Sequence, residues 1–334
     1  LFMPMKLALI GATGLVGKKM LEVIAGQALQ FEVFLPVASE QSLGKKIIFR
    51  QKAYPVITAE QALDENPELV LMSAGAAVSR RLAPLFVERG AVVIDNSSAW
   101  RRDADKALVV PEINADILKK GPQIIANPNC STIQLVMALA PIHKVYGLKR
   151  LVLSTYQSVS GSGQKGVQQL ENEEIGEASL NPAYPHPIHR NVIPHGGFFE
   201  ADGYTSEEDK LVFETRKILN DTQIAVTATV VRVPVIGGHS ISANIETYKP
   251  FKLDDIRALI QTFPGVVLQD NPAQNSYPMP LSAAGHDEVF VGRLRRDHSI
   301  PNGLNLWIVA DNLRKGAATN AVQIAKYLID NNLI

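Results

Sequence analysis

The chain has 334 residues, enough for two domains of ordinary size with substantial cores. Lys plus Arg equals Asp plus Glu at 33 each, so neither a polyanionic partner such as nucleic acid nor an anionic membrane surface is indicated. A single cysteine excludes an intramolecular disulfide, and no apolar run reaches membrane-spanning length. These readings predict a soluble, cytoplasmic α/β protein, with Leu1 to Pro4 as an extension ahead of the first strand.

Lys6 to Ile10 reads as a buried strand. It is followed at once by Gly11-Ala12-Thr13-Gly14-Leu15-Val16-Gly17 and then by Met20, Leu21, Val23 and Ile24 at helical spacing. Strand, glycine turn and helix predict the first unit of a dinucleotide-binding fold, in which glycines let the backbone approach a pyrophosphate at the helix N-terminus. Glycine-rich turns also occur where helix and strand merely pack closely; the position at the head of a βαβ pattern favours binding. Phe31 to Val37 is the second strand, and its end bears on cofactor type. An NAD-selective site would place a carboxylate there for the ribose hydroxyls. Ala38-Ser39-Glu40-Gln41-Ser42-Leu43-Gly44-Lys45 instead offers hydroxyls and Lys45 to a 2′-phosphate, with Glu40 opposing it. The balance leans to NADP, while an ordinary solvated loop also accounts for Glu40 and Gln41.

Leu69 to Ser73 and Ala91 to Ile94 are further strands, the second ending in Asp95-Asn96-Ser97-Ser98-Ala99-Trp100-Arg101-Arg102. Strands alternating with helical patterns predict a parallel sheet whose ligands gather beyond the carboxyl ends of the strands. The arginine-bearing cluster is either an anion site or a capped turn with solvated arginines. Gln123 to Ala126 is a strand leading into Asn127-Pro128-Asn129-Cys130-Ser131-Thr132 and an apolar helix from Ile133 to Ala140. Pro128 and the asparagines favour a tight turn, and Ser131-Thr132 suit a helix start. A thiol placed there meets the positive end of the peptide dipoles, which favours the nucleophilic thiolate. Taken alone, Cys130 would more simply be a small buried hydrophobe.

Beyond Cys130 the composition changes. Arg150 to Gln157 reads as a strand running into Ser158-Val159-Ser160-Gly161-Ser162-Gly163, and a polar segment follows from Glu171 to Gly203. His186-Pro187-Ile188-His189 lacks zinc-motif spacing, so no metal is expected. Thr205 to Leu219 predicts a helix whose Glu207, Glu208, Lys210, Glu214 and Arg216 are by default a solvated face with i,i+3 and i,i+4 pairs. Ala225 to Val235 alternates as a strand, bracketed by Arg232 and by Gly237-Gly238-His239. A histidine after two glycines has room to titrate and to be approached. Ser242 to Thr247, Val289 to Arg295 and Leu304 to Ala310 complete a second sheet. Asp311-Asn312-Leu313-Arg314-Lys315-Gly316 then leads into an amphipathic helix, Ala317 to Leu328, that can dock on the first domain.

These motifs in this order resemble the aspartate-β-semialdehyde dehydrogenase family. The resemblance rests on the glycine turn at Gly11, Asp95 to Arg101, Val110 to Asn114, Asn127 to Thr132, Thr155 to Gly161, Glu214-Thr215-Arg216-Lys217, Arg232 to Ser240 and Asp311 to Ala318. It implies a Rossmann-type parallel-sheet domain over 1–130, completed by a C-terminal helix at 315–334. An α+β catalytic and dimerisation domain over 131–314, like that of glyceraldehyde-3-phosphate dehydrogenase, would follow. It also implies reversible, NADPH-dependent reductive dephosphorylation of aspartyl β-phosphate through a Cys130 thioester. His239 would be the acid/base, and Gln157 would orient the acyl group. Arg232 would hold the substrate α-carboxylate and Glu207 its ammonium. Lys210 and Arg101 would bind phosphate, and Asn129 the phosphate or acyl site. Gly11, Thr13, Gly14, Leu15, Val16, Ser39, Ser42, Ser73, Gly75, Ser160, Gly161 and Asn312 would contact NADP.

The same resemblance implies a homodimer or homotetramer and a step of amino-acid biosynthesis leading to lysine through diaminopimelate, and to methionine, threonine and isoleucine. Three departures stand against the family pattern: Ala76-Ala77 in place of a Gly-Ser-like pair, Gln41 where an arginine is frequent, and Trp100 for phenylalanine. Three other readings compete. A reductase of N-acetylglutamyl phosphate would have no use for Glu207 against an ammonium. A non-catalytic binding paralogue would have no reason to keep Cys130, Gln157, Arg232 and His239 together. In a tyrosine-dependent short-chain reductase, Tyr248 and Lys252 would need to share a helical face that Pro250 interrupts.

Overall fold

A computed structural model describes residues 5–334, so the proposed extension at Leu1 to Pro4 lies outside the described residues. The chain divides into two compact units, one running to Pro128 and taking in Ala317–Ile334, the other spanning Asn129–Gly316.

In the first unit, β1 (Lys6–Ile10), α1 (Leu15–Gly26) and β2 (Val33–Val37) are followed by a hairpin of β3 (Lys46–Phe49) and β4 (Lys52–Pro55). Then come α2 (Ala59–Asp64), β5 (Leu69–Met72), α3 (Ala76–Glu88), β6 (Val92–Asp95), β7 (Ala107–Leu108), α4 (Pro111–Asn114) and β8 (Gln123–Ala126). The main sheet has the order β2-β1-β5-β6-β8-β7, and its neighbours are parallel. Strands of such a sheet are covered on both faces, which explains why Leu7, Ala8, Leu9 and Leu69 to Met72 are apolar without alternation and fully buried. The C-terminal helix, Thr319–Asp330, adds Ala321, Val322, Ile324, Ala325 and Leu328 to the same core. The chain leaves β1 toward β2 on one side and returns to β5 on the other. The sheet therefore has its switch point between β1 and β5, where open α/β sheets bind ligands. β2 begins at Val33, two residues later than its apolar run suggests, because the amides of Glu32 and Val33 both turn to the Met5 carbonyl.

The second unit opens with α5 (Cys130–Tyr146), whose buried residues run all round the helix from Ser131 to Ile142, the mark of a helix inside a core. Around it lie β9 (Leu148–Gln157), α6 (Gln164–Glu174), α7 (Ser206–Ile218), β10 (Ala225–Arg232), β11 (His239–Thr247), α8 (Leu253–Thr262), β12 (Val266–Leu268), α9 (Pro280–Ala283), β13 (Val289–Asp297) and β14 (Gly303–Ala310). The mixed sheet runs β10-β9-β11-β14-β13-β12. One face carries α5, α7 and α8. The other presents Ser154, Tyr156, Ser242, Asn244, Asn305 and Trp307 in register, with the Tyr156 and Trp307 rings 5.4 Å apart. β10 ends at Arg232, short of the expected Val235. The amide of Val233 bonds to Gln157, Pro234 has no N–H, and a glycine turn follows. His239 is consequently the first residue of β11, three residues earlier than the sequence pattern placed that strand.

Candidate active site

The glycine turn is built by steric necessity. Gly11 has φ +84°, and a Cβ there would lie 2.2 Å from the Ser73 carbonyl oxygen; a Cβ on Gly17 would lie 2.2 Å from the Gly11 carbonyl oxygen. The turn therefore lies directly against the end of β5. Gly14 precedes α1 in extended conformation with no side-chain cap, and the first turn of α1 carries no acid, so its amides suit an anion. A cavity of about 680 Å³ opens here, lined by Gly11, Thr13, Gly14, Ser39 and Ser73 together with Gln41, Thr58 and Arg81. Uncapped helix amides beside a pocket of this size fit a dinucleotide, while Gly11 and Gly17 serve the close packing of the turn. Among the other expected contacts, Leu15 and Val16 open α1, Ser42 is buried 3.5 Å from the Thr13 hydroxyl, and Gly75 precedes α3 at φ +81°. The cation on this wall is Arg81, which the sequence reading did not single out, whereas Lys45 is not among the lining residues.

The loop after β6 is no solvated turn. Arg101 is buried and donates to the Asn96 carbonyl at 3.0 Å, while Trp100 Nε1 donates to Ser79 Oγ at 2.8 Å. The buried Asp95 carboxylate accepts from the Ser97 amide and hydroxyl at 3.1 and 2.6 Å. Burial pushes that carboxyl up; the Ser97 hydrogen bonds and the Arg101 charge oppose the shift. Only Arg102 of the pair faces solvent.

In the second unit, Cys130 is the first residue of α5 and is half-buried. Asn129 caps the helix through Oδ1, which accepts from the Ser131 amide at 3.0 Å. Its own amide donates to Glu214 Oε2 at 2.7 Å, and its Nδ2 donates to Glu207 Oε2 at 2.9 Å. Lys210 Nζ donates to the other oxygen of Glu207. Glu207, Lys210 and Glu214 are spaced i, i+3 and i+7 on α7 and so share one helical face. That face is half-buried at Glu207 and Lys210 and fully buried at Glu214, against the expectation of solvation; beside it, Glu208 closes a capping box with Thr205 while accepting from the Val230 amide. Glu214 is a buried residue that the sequence reading left on a solvated face, and its i+7 relation to Glu207 sets it on the same side of the helix. Gly316 packs against Cys130, since a Cβ there would lie 2.9 Å from the Cys130 Cβ.

Gln157 Nε2 donates to Ser131 Oγ at 3.0 Å, tying the end of β9 to the residue after the thiol. The next residue, Ser158, joins two further groups. Its carbonyl accepts from Arg232 Nη1 at 2.7 Å, and its amide donates to His239 Nδ1 at 3.1 Å. The Ser158 amide favours the imidazole whose proton lies on Nε2, while the Ser158 hydroxyl, 3.0 Å from the same Nδ1, can serve either tautomer. His239 is 0% exposed; burial, and then the adjacent Arg232 charge, hold it well below its ordinary value, so it is neutral at pH 7. His239 Nε2 and Arg232 Nε are both buried and lack a hydrogen-bond partner. Gly161 lies over them: a Cβ there would be 2.7 Å from Arg232 Nη1 and 3.0 Å from His239 Nε2. Two buried nitrogens without partners, under a residue without a side chain, are groups that a small polar ligand could satisfy. Ser160 and Asn312 are buried beside it and bonded to each other. Among the described residues no group of His, Cys, Asp or Glu is arranged to hold a metal ion.

Residues 6–121 match a family model described as semialdehyde dehydrogenase, NAD binding domain, and 139–315 match semialdehyde dehydrogenase, dimerisation domain. Aspartate-semialdehyde dehydrogenase of Aquifex aeolicus is 48% identical, the match covering 98% of this chain and 99% of the relative. That of Bacillus subtilis is 44% identical, with 98% of each chain covered. Aspartate semialdehyde dehydrogenase II from Vibrio cholerae, solved in complex with ASA, superposes with a TM-score of 0.92 at 40% identity, covering 98% of this chain and 99% of that one. An enzyme of the same name from Candida albicans, solved with NADP, has a TM-score of 0.78 at 24% identity over 99% of this chain and 100% of that one, and so shares the fold.

Proposed function

The chain belongs to the aspartate-semialdehyde dehydrogenase family, and from that membership we propose that it interconverts aspartate semialdehyde and aspartyl β-phosphate through a thioester on Cys130, with NADP as coenzyme. The observation that supports the reading is the chain of hydrogen bonds from Ser131, next to the thiol at the head of α5, through Gln157 and the adjacent Ser158 to His239 and Arg232, whose Nε2 and Nε are buried without partners.

Cys130 sulfur attacks the aldehyde carbon, and the carbonyl electron pair moves to oxygen. His239 takes the thiol proton on Nε2 and delivers it to that oxygen, giving the hemithioacetal. The chemistry a nicotinamide supplies when bound is hydride uptake in this direction and hydride donation in reverse. His239 takes back the hydroxyl proton as the thioester forms. Phosphate then attacks the acyl carbon, the C–S bond breaks, and His239 returns the proton to sulfur. Gln157 orients the acyl oxygen, Arg232 binds the substrate carboxylate, Glu207 meets its ammonium, and Lys210, Arg101 and Asn129 receive phosphate. The alignment of one acid with several cations suits an amino acid that also carries a phosphoryl dianion.

Gly11, Thr13, Gly14, Leu15, Val16, Ser39, Ser42, Ser73 and Gly75 would hold the nucleotide, with Ser160, Gly161 and Asn312 on the nicotinamide side. Arg81 on the wall of the nucleotide cavity supports NADP, because it offers a 2′-phosphate a cation, against the opposing carboxylates of Glu40 and Glu60 on the same wall. A homodimer formed over the outer sheet face of Tyr156 and Trp307, working in the reducing cytoplasm, suits the dimerisation-domain match and a thiol nucleophile. Initial rates with aspartate semialdehyde test the whole reading. Reduction of NADP should require phosphate and exceed that of NAD; equal rates without phosphate would refute it.

A further inference from the structure

The proposed reaction uses Nε2 of His239 in turn as base and acid, and each time Nε2 accepts a proton the opposite nitrogen must carry one. Nδ1 has two neighbours of opposite polarity, both from Ser158: the amide N–H at 3.1 Å and the hydroxyl oxygen at 3.0 Å. The amide can only donate, so it stabilises the imidazole whose proton lies on Nε2 and opposes any state with Nδ1–H. The hydroxyl can accept, provided its own proton is held elsewhere.

Asn312 supplies that place. Its Oδ1 lies 3.0 Å from Ser158 Oγ and accepts from the Gly238 amide at 3.0 Å, while its Nδ2 donates to Ser160 Oγ at 3.0 Å. The Gly238 N–H fixes which end of the amide is oxygen, since it cannot donate to an NH₂. Ser158, Ser160, Asn312 and His239 are all at most 3% exposed, so water does not substitute for these partners. We propose that Ser158 and Asn312 are positioning residues for His239. The Ser158 hydroxyl turns its proton to Asn312 Oδ1 and accepts from Nδ1–H whenever Nε2 is the base or the ring is imidazolium. It turns back toward Nδ1 when the proton lies on Nε2.

The groups acting on the ring are few. From β10 comes the Arg232 guanidinium, which opposes imidazolium, and behind it the Tyr184 ring 5.9 Å away. α5 contributes the neutral Gln134, which donates to the His239 carbonyl at 3.1 Å. The short turn after β9 contributes Gly161, and the segment after β14 contributes Asn312. Of the charged groups named here Arg232 is a cation, so the stabilisation of a protonated ring falls to neutral acceptors, the Gly238 backbone and the Ser158 hydroxyl held by Asn312.

This inference rests on His239 being the acid/base, and the test separates the two. Asn312→Asp keeps the acceptor and adds a negative charge. It should move the acid limb of the kcat/KM pH profile upward by about one pH unit, since a nearby anion favours imidazolium and delays the free base to higher pH. Ser158→Ala keeps the amide and removes the hydroxyl. It should lower kcat by about 10-fold or more with KM for aspartate semialdehyde changed less than about 2-fold. An unmoved limb in a folded Asn312→Asp, or a Ser158→Ala defect confined to KM, would overturn the role. If the aspartate variant does not fold, Ser158→Ala decides alone. Full turnover by His239→Asn would instead overturn the underlying reading of His239.

Discussion

The buried Glu214 carboxylate accepts the backbone N–H of Asn129 at 2.7 Å, so a side chain on α7 holds the residue immediately before Cys130. An ionised acceptor on an amide is a strong hydrogen bond, and its loss leaves a buried N–H unsatisfied. Glu214→Ala should destabilise the protein by about 2 kcal/mol and reduce kcat by misplacing Cys130. Glu214→Gln, which keeps an acceptor oxygen, should retain more of both. Thermal unfolding and steady-state rates measure the pair; indistinguishable variants would mean the contact is incidental.

His239 makes stability depend on pH in a defined direction. Its native value is depressed by burial and by Arg232. Between that value and about 6.5 the unfolded chain therefore binds a proton that the native chain does not. Stability then rises with pH up to about 6.5 and is lost below it. Relative to His239→Asn, the wild type should lose about 1 kcal/mol between pH 7.5 and 5.5. Denaturant titrations at the two pH values check this, and an unchanged difference would place a proton on the native ring.

Gly161 has no strained φ, so its lack of a side chain serves the space above the site. Gly161→Ala should fold normally, because the methyl meets the movable ends of Arg232 and His239 rather than backbone. Turnover should fall by about 100-fold, the cost of displacing reacting groups by fractions of an ångström. Normal kinetics in a stable variant would show that substrate does not approach by this face.

Gly11 and Gly75 share nearly the same positive φ, +84° and +81°, yet differ in surroundings. A Cβ on Gly11 runs into the Ser73 carbonyl, whereas one on Gly75 meets open space. Gly75→Ala should cost about 1 kcal/mol of backbone strain, and Gly11→Ala considerably more, with loss of nucleotide binding. Comparison of the two melting temperatures and of NADP titrations tests the contrast.

Much of this was legible in the sequence because the chemistry is concentrated in short motifs. The glycine turn, Asn127 to Thr132 and Arg232 to His239 each marked a strand end, and the structure places strand ends there. The hairpin β3–β4 was not legible: its turn residues, Arg50 and Gln51, both adopt positive φ without glycine or asparagine to announce it. Glu208 and Glu214 were illegible for a different reason. A charged helix face is solvated by default, and only the tertiary placement of α7 beside α5 shows that these carboxylates bond to buried amides. Ser158 lay within the Thr155 to Gly161 motif without a role; its amide, carbonyl and hydroxyl acquire partners only once β10 and β11 bring Arg232 and His239 to it.

Covalent capture at Cys130 addresses the thioester itself. The wild-type protein, mixed with aspartate semialdehyde and NADP without phosphate and quenched in acid, should gain the mass of one aspartyl acyl group on the peptide bearing Cys130. Later addition of phosphate before the quench should remove it. Cys130→Ala should neither acquire the group nor turn over. Undiminished turnover by Cys130→Ala, or phosphate-dependent turnover by a wild type that never carries the acyl group, would contradict covalent catalysis.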